Sequence, residues 1–334
     1  MSGEWLWSLG LFGAGLGLSL GLGKWVQGLG IDDAPDGVRK HQDRPISRLG
    51  GVAILLSLLP LFLGLHLMLD VAMPQAISLA LGFSGVAYLL GLWDDIWHAN
   101  TKLKLLLLFL LCVGVTSLGL VPASLNTPWG AFEHPVLLII GSALWLLVFT
   151  NSANFLDGSN GLAVGCLLIM LSGLALLSSG AGNAQITLWW WPLIGALIGF
   201  LVHNLSGSLY VGDAGALGLG ALFASLGLAL QIEVWTLATL ALPFLADVLM
   251  TLIWRARKGR NWLAPHLDHA YQNLRLTGWS HFETAILYWG FTLTCAMIAL
   301  IASRAGGAAP FLTFTTLALV GCVLWLMHRR AQLP

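Results

Sequence analysis

The stretch 151–160, NSANFLDGSN, places three carboxamides and a carboxylate in ten residues, directly after the apolar run 135–149. Polar groups at a membrane edge are costly and mark a site by default. If the preceding helix continues through them, Asn151, Asn154 and Asp157 recur every three residues and share one face. That face offers oxygen ligands for a hard cation and amides for a polar ligand.

Four other polar segments carry chemistry of the same kind. Segment 91–95, GLWDD, ends an apolar run in Asp94 and Asp95 and is followed by Lys102 and Lys104. Adjacent carboxylates repel each other, and a divalent cation or a basic partner relieves both the repulsion and the burial. Segment 210–215, YVGDAG, sets Asp213 between glycines that permit tight turns and close approach of a ligand. At the start of a new helix Asp213 reads either as a residue of a phosphate-binding end or as a helix cap. Segment 39–51, RKHQDRPISRLGG, reads as a positive-inside anchor or as a basic phosphate-binding loop that includes Arg48. The longest polar segment, Arg255 to Glu283, contains His266 and His269 beside Arg255, Arg257, Lys258 and Arg260. The His-x-x-His spacing lacks a Cys or a nearby third His to complete a zinc site, so the loop reads as a pyrophosphate or sugar clamp. Asp247, inside an apolar run, reads either as a buried acid paired with Arg255 or as a site residue.

The elements that must position these groups are membrane helices. The chain has 334 residues, 57% hydrophobic and 9% charged, where a soluble domain carries roughly 25% charge. A net charge of zero suggests no nucleic-acid partner. The four cysteines lie scattered in apolar runs and build neither a disulfide framework nor a metal site. Sixteen tryptophans suit interfacial belts, as at Trp5, Trp7 and 189–191. No cleavable signal is expected, because the first apolar run lacks a basic start and a small-residue cleavage site. Runs near the ~20 residues that cross a bilayer fall at about 5–22, 49–69, 74–93, 105–122, 136–152, 161–180, 187–203, 214–231, 234–253, 285–303 and 308–327. The expected fold is an all-α, polytopic membrane protein of about eleven spans. It forms a single domain whose loops 23–48, 94–104, 151–160, 203–213 and 254–284 make the site.

With the N-terminus outside, fourteen of the fifteen Lys and Arg lie inside and Arg304 alone lies outside. This is a strong positive-inside pattern and it places the C-terminus in the cytoplasm. Eleven of the fifteen acids share the inner side. The exceptions are Glu4, Asp70, Glu133 and Glu233. One-sided chemistry favours an enzyme at the cytoplasmic interface. A solute pathway needs polar groups near mid-span.

The motifs Arg-Lys-x-His…Arg-Leu-Gly-Gly, Gly-x-x-Asp-Asp, Asn-x-x-Asn-x-x-Asp-Gly-x-x-Gly-Leu-Ala, Gly-Asp-x-Gly and a histidine-bearing last loop occur in this order on one face. Together they resemble the polyprenyl-phosphate N-acetylhexosamine-1-phosphate transferases, the MraY/WecA superfamily, over essentially the whole chain. The resemblance implies a UDP-N-acetyl-sugar donor, undecaprenyl phosphate as acceptor, UMP as leaving product and Mg²⁺ as cofactor, with Mn²⁺ as a substitute. It implies Asp213 and Asn154 as metal ligands, and Asp94 and Asp95 as the pair that orients or deprotonates the lipid phosphate. Asp157 and Asn160, with Asn151 on the same face, fall where the family holds nucleotide and sugar. Tyr210 falls where an aromatic stacks on uracil. Lys102 or Lys104, with Arg48, Arg255, His266 and His269, fall on phosphates. A bacterial inner-membrane location, a cytoplasmic site and a homodimer are further expectations.

Two positions depart from the pattern. Residue 160 is Asn where many bacterial members have Asp, and the last loop lacks a run of adjacent histidines. The second departure argues against the muramyl-pentapeptide branch. It resembles the branch that starts O-antigen or other surface glycans from UDP-GlcNAc or a 6-deoxy relative such as UDP-FucNAc or UDP-QuiNAc. The competing classes are a membrane transporter and a lipid pyrophosphate phosphatase.

Overall fold

The computed structural model describes residues 4–30, 32–33, 45–69, 73–179, 184–261, 264 and 266–331. The basic residues Arg39, Lys40 and Arg44, with His41, lie outside the described residues. Among those described, the membrane helices are α1 (Glu4–Val26), α2 (Gly50–Leu69), α3 (Gln75–Trp97), α4 (Thr101–Ser117), α5 (Pro135–Phe155), α6 (Leu162–Ser179), α7 (Ala184–Leu205) and α8 (Gly212–Ala229). There follow α9 (Val234–Leu240), α10 (Leu242–Arg257), the short α11 (Ala270–Leu276), α12 (His281–Ala305) and α13 (Ala309–Ala331). Nine of these described helices are long and apolar enough to cross a bilayer. The bent pair α9–α10, counted as one, makes a tenth, and the expected run 105–122 is the shorter, seventeen-residue α4. The chain is an all-α, multi-pass membrane protein. Two small antiparallel ribbons interrupt the helices, β1 (Asp32–Asp33) with β2 (Ile46–Ser47) and β3 (Leu125–Thr127) with β4 (Gly130–Phe132).

The expected ninth span, 234–253, is not one helix. It bends by 78° between α9 and α10. Pro243 has no N–H to return to the preceding turn, so the chain stops at Ala241 and restarts. Phe244 and Leu245 both donate to the Ala241 carbonyl.

Helix ends follow local chemistry. Asn100 caps α4 by accepting the N–H groups of Lys102 (3.0 Å) and Leu103 (3.3 Å). Ser280 and Glu283 form a reciprocal capping box at α12, with bonds of 3.1 and 2.7 Å. α3 stops where His98 turns left-handed.

α8 is the buried centre and packs most extensively against α3, with α5 alongside. Lipid is as apolar as leucine, so helices hold together here by close packing and small residues. At Gly91 a Cβ would come within 2.3 Å of the Asp213 carbonyl. That glycine brings α3 onto the first turn of α8 and sets Asp94 and Asp95 beside Asp213. Trp145, Phe149, Phe223 and Phe244 stack at 4.7–6.0 Å and tie α5, α8 and α10 together.

Candidate active site

The polar ends of α3, α5, α7 and α8, and the starts of α2, α4 and α12, meet at one end of the bundle. Segment 46–51 runs beside 209–212. Tyr210 donates its N–H to the Ser47 carbonyl (2.9 Å), and Gly50 and Gly51 donate to the carbonyls of Tyr210 and Val211 (2.9 and 2.8 Å). This fixes Arg48 next to the start of α8. Gly212 adopts φ +71°, and a Cβ there would lie 2.2 Å from the Arg48 carbonyl and 2.7 Å from an Asp95 oxygen. Only glycine fits that turn.

Asp95, 5% exposed, accepts the backbone N–H of Asp213 at 3.0 Å and that of Ala214 at 2.9 Å. Its carboxylate therefore caps α8 from the neighbouring helix. Asp94 points elsewhere: Lys104 Nζ bonds its Oδ2 and also Oδ2 of Asp213, the latter at 2.6 Å. The Asn154 side chain lies near the same Asp213 carboxylate. One ammonium thus joins two carboxylates at the centre of the site, with the Asn154 amide beside them.

A cavity of about 930 Å³ opens beside this centre and is lined by Arg48, Asp95, Asp157, Asn160, Tyr210 and Asp213. His266 lines it from the loop before α11. Seven of the residues expected from sequence therefore share one chamber. His98, Arg275 and His281 line it as well, although none stands in a motif. The capping box at Ser280 is a signal that places His281 at a helix start, and hence at the membrane edge.

The segment 155–161 is clamped from three elements. Tyr271 donates its hydroxyl to the Phe155 carbonyl (2.9 Å), and Asn204 accepts the Gly161 N–H (2.7 Å). Trp289 Nε1 donates to the Gly161 carbonyl (2.9 Å). Burial, and after it the charges of Asp213 and Asp95, push the Asp157 carboxyl well above the usual carboxylate range, with Arg48 only partly opposing. Burial likewise raises the Tyr210 phenol. His266 is pushed down to about 4, first by burial and then by His269 and Arg255. Its Nδ1 accepts the Asp268 N–H at 3.3 Å, so the neutral ring carries its proton on Nε2.

Five expected residues are placed differently. Lys102 leaves its side chain exposed, so the choice between the two lysines falls on Lys104. Asn151 returns its amide to the Leu147 carbonyl of its own helix (2.7 Å) and does not line the cavity. Arg255 is buried against Asp268 and donates to the Asn261 carbonyl (2.5 Å), so it holds the last loop together away from the cavity. Asp247 does not pair with Arg255. It accepts from the N–H of Ala270 (2.8 Å) and the Tyr288 hydroxyl (2.6 Å), and faces Nδ1 of His269 at 3.6 Å. His269 is buried at the N-cap of α11 and is withheld from the cavity. Among the described residues, no three His, Cys, Asp or Glu side chains converge as a metal cluster.

The profile described as Glycosyl transferase family 4 matches residues 77–231, which include Asp94, Asp95, Lys104, the 151–161 cluster and Asp213. A phospho-N-acetylmuramoyl-pentapeptide-transferase of Synechococcus sp. strain RCC307 is 30% identical over 255 residues, covering 67% of this chain and 68% of its own. The same enzyme of a second Synechococcus is 32% identical, covering 64% and 68%. A Bacillus subtilis protein named "Probable undecaprenyl-phosphate N-acetylglucosaminyl 1-phosphate transferase" is 26% identical, covering 81% and 78%. An end-of-bundle chamber built on the acids of α3 and α8, and relatives of both kinds across most of the chain, lead to one conclusion: the chain belongs to glycosyl transferase family 4, within the MraY/WecA superfamily of polyprenyl-phosphate hexosamine-1-phosphate transferases.

Proposed function

We propose that this protein transfers an N-acetylhexosamine-1-phosphate from a UDP-linked donor to undecaprenyl phosphate, releasing UMP, as the first step of O-antigen or related surface-glycan synthesis. The observation that carries the proposal is Lys104 bridging Asp94 and Asp213, with Asn154 alongside, at the edge of a chamber of about 930 Å³. The basic residues Arg48, Lys104, Arg255, Arg275 and Arg329 at this end of the bundle support a cytoplasmic placement by the positive-inside rule. The location that follows is a bacterial inner membrane.

A phosphate oxygen of the lipid attacks the sugar-linked phosphorus. The bond from that phosphorus to the bridging oxygen breaks, and UMP leaves with the electron pair. Such a reaction demands positioning and charge neutralisation more than covalent help. The donors around Lys104 are all hard oxygens, and a cation already bridges two of them, so the set fits Mg²⁺. Asp213, Asp94 and Asn154 would hold the metal, and Mg²⁺ would supply charge neutralisation at the transferred phosphoryl group. Lys104 would then serve as a second cation for the pyrophosphate. Arg48 and the Nε2–H of neutral His266 add donors. Asp95 keeps Asp213 in place by capping α8. Tyr210 supplies an aromatic face for uracil.

The muramoyl-pentapeptide relatives are as similar as the glucosaminyl one, so the sugar assignment rests on the last loop. Of the His-x-x-His pair there, His266 reaches the cavity while His269 is buried, and the next cavity-lining imidazole, His281, stands fifteen residues further on at the start of α12. The test uses purified protein in detergent with undecaprenyl phosphate, Mg²⁺ and UDP-GlcNAc, UDP-FucNAc, UDP-QuiNAc or UDP-MurNAc-pentapeptide. UMP release that requires lipid, metal and one of the first three donors is expected. Release with the pentapeptide donor alone contradicts the branch. No release in folded protein contradicts transfer and favours the phosphatase or transporter class.

A further inference from the structure

His281 is the first residue of α12 and lines the cavity. Its Nδ1 accepts the backbone N–H of Asn160 at 3.3 Å and faces the buried Ser159 hydroxyl at 2.9 Å. A backbone N–H can only donate, so Nδ1 is unprotonated and the neutral ring carries its proton on Nε2. Among the described residues Nε2 has no hydrogen-bond partner, and it is not a buried orphan either. The ring therefore has one nitrogen committed to segment 159–160 and the other presented to the chamber as an N–H donor. Segment 159–160 belongs to the cluster that carries Asp157 and Asn154.

We propose that His281 is a donor-binding residue: Nδ1 fixes the Ser159–Asn160 wall and Nε2–H binds a carbonyl or hydroxyl oxygen of the nucleotide-sugar. This rests on the UDP-sugar reading above.

The two nitrogens are separable by substitution. In His281→Asn the side-chain amide reaches only the Nδ1 position, so the wall contact is kept and the Nε2 donor is removed. In His281→Gln the amide extends toward the Nε2 position and the Nδ1 contact is removed. Affinity for UDP-GlcNAc and for UMP is measured by calorimetry on folded protein, together with donor and lipid KM. His281→Asn is expected to weaken UDP-GlcNAc about tenfold, the value of one hydrogen bond. Lipid KM stays unchanged, and His281→Gln retains more donor affinity than His281→Asn. If UMP weakens in parallel, the bound oxygen is on the nucleotide. If UMP is unaffected, it is on the sugar. Unchanged donor affinity in His281→Asn overturns the proposal, as does an equal loss for lipid and donor together with a lowered melting temperature. Wild-type protein that binds no UDP-sugar fails the underlying reading first, and that failure is visible before any variant is made.

Discussion

Asp95 accepts the backbone N–H of Asp213 at 3.0 Å across 118 positions of sequence. With the second bond to Ala214 at 2.9 Å, the carboxylate ends the one helix that delivers Asp213 to the site. Of the adjacent acids, Asp95 is the buried structural partner, and Asp94, with 19% of its side chain exposed, faces Lys104.

The two acids should fail differently. Asp95→Ala removes a helix cap worth about 1–2 kcal/mol and lets Asp213 drift, so melting temperature in detergent and UMP release both fall. Asp94→Asn lowers UMP release at least tenfold while the melting temperature changes little. Equal melting losses in the two variants would show that Asp95 has no special structural task.

Lys104→Met is expected to reduce transfer a hundredfold or more, the order of loss for one preorganised donor at a phosphoryl centre. Lys102→Met, altering an exposed side chain, should leave kcat/KM within twofold. Steady-state kinetics on the two variants decides this, and similar losses in both would contradict the placement of Lys104.

Asp157 has its carboxyl held above the usual range by burial and by two neighbouring acids. The unfolded chain therefore ionises at lower pH than the folded one, and stability is lost as pH rises from about 4 toward the folded value. Asp157→Asn removes that linkage. Its melting temperature relative to wild type should rise with pH between 4.5 and 8. A constant difference over that range would mean that Asp157 is ionised in the folded protein.

The last loop is held by Asp268, which pairs with Arg255, with Arg260 at 3.3 Å and with Arg329 of α13 at 3.4 Å. Asp268→Ala leaves Arg255 buried without its partner, at a cost of about 3 kcal/mol, and frees the loop bearing His266. Arg329→Ala, which removes one of several contacts, should cost less. Chemical denaturation and donor KM measured together check this, and an Arg329→Ala loss as large as that of Asp268→Ala would contradict it.

Eleven apolar runs were legible because each is near bilayer length and ends in polar residues. The bend at Ala241 was not, because Pro243 lies inside a continuous apolar stretch and hydropathy carries no record of a missing N–H. Asp95, Asp157, Asn160, Tyr210 and Asp213 stand in motifs whose order and chemistry point to one chamber, and the folded chain gathers them there, with Asp94 beside it on Lys104. Lys102 and Lys104 lie two residues apart on α4 and so point in different directions. Which one faces the acids is set by the phase of the helix, and composition does not reveal it. Arg255, in the last turn of α10, and His269, three residues after His266, are near it in sequence, but burial turns them toward Asp268 and Asp247. His281 reaches the site only because α12 starts beside segment 159–160, a long-range contact with no local signature.

The most direct test of the account follows the donor's sugar-linked phosphate. Purified protein is incubated with undecaprenyl phosphate, Mg²⁺ and UDP-GlcNAc, or whichever donor supports release, carrying ³²P in its β-phosphate. Transfer of hexosamine-1-phosphate moves the label into the lipid fraction and leaves UMP unlabelled. Label retained in UDP, with sugar alone on the lipid, or label released as free phosphate, would contradict the account.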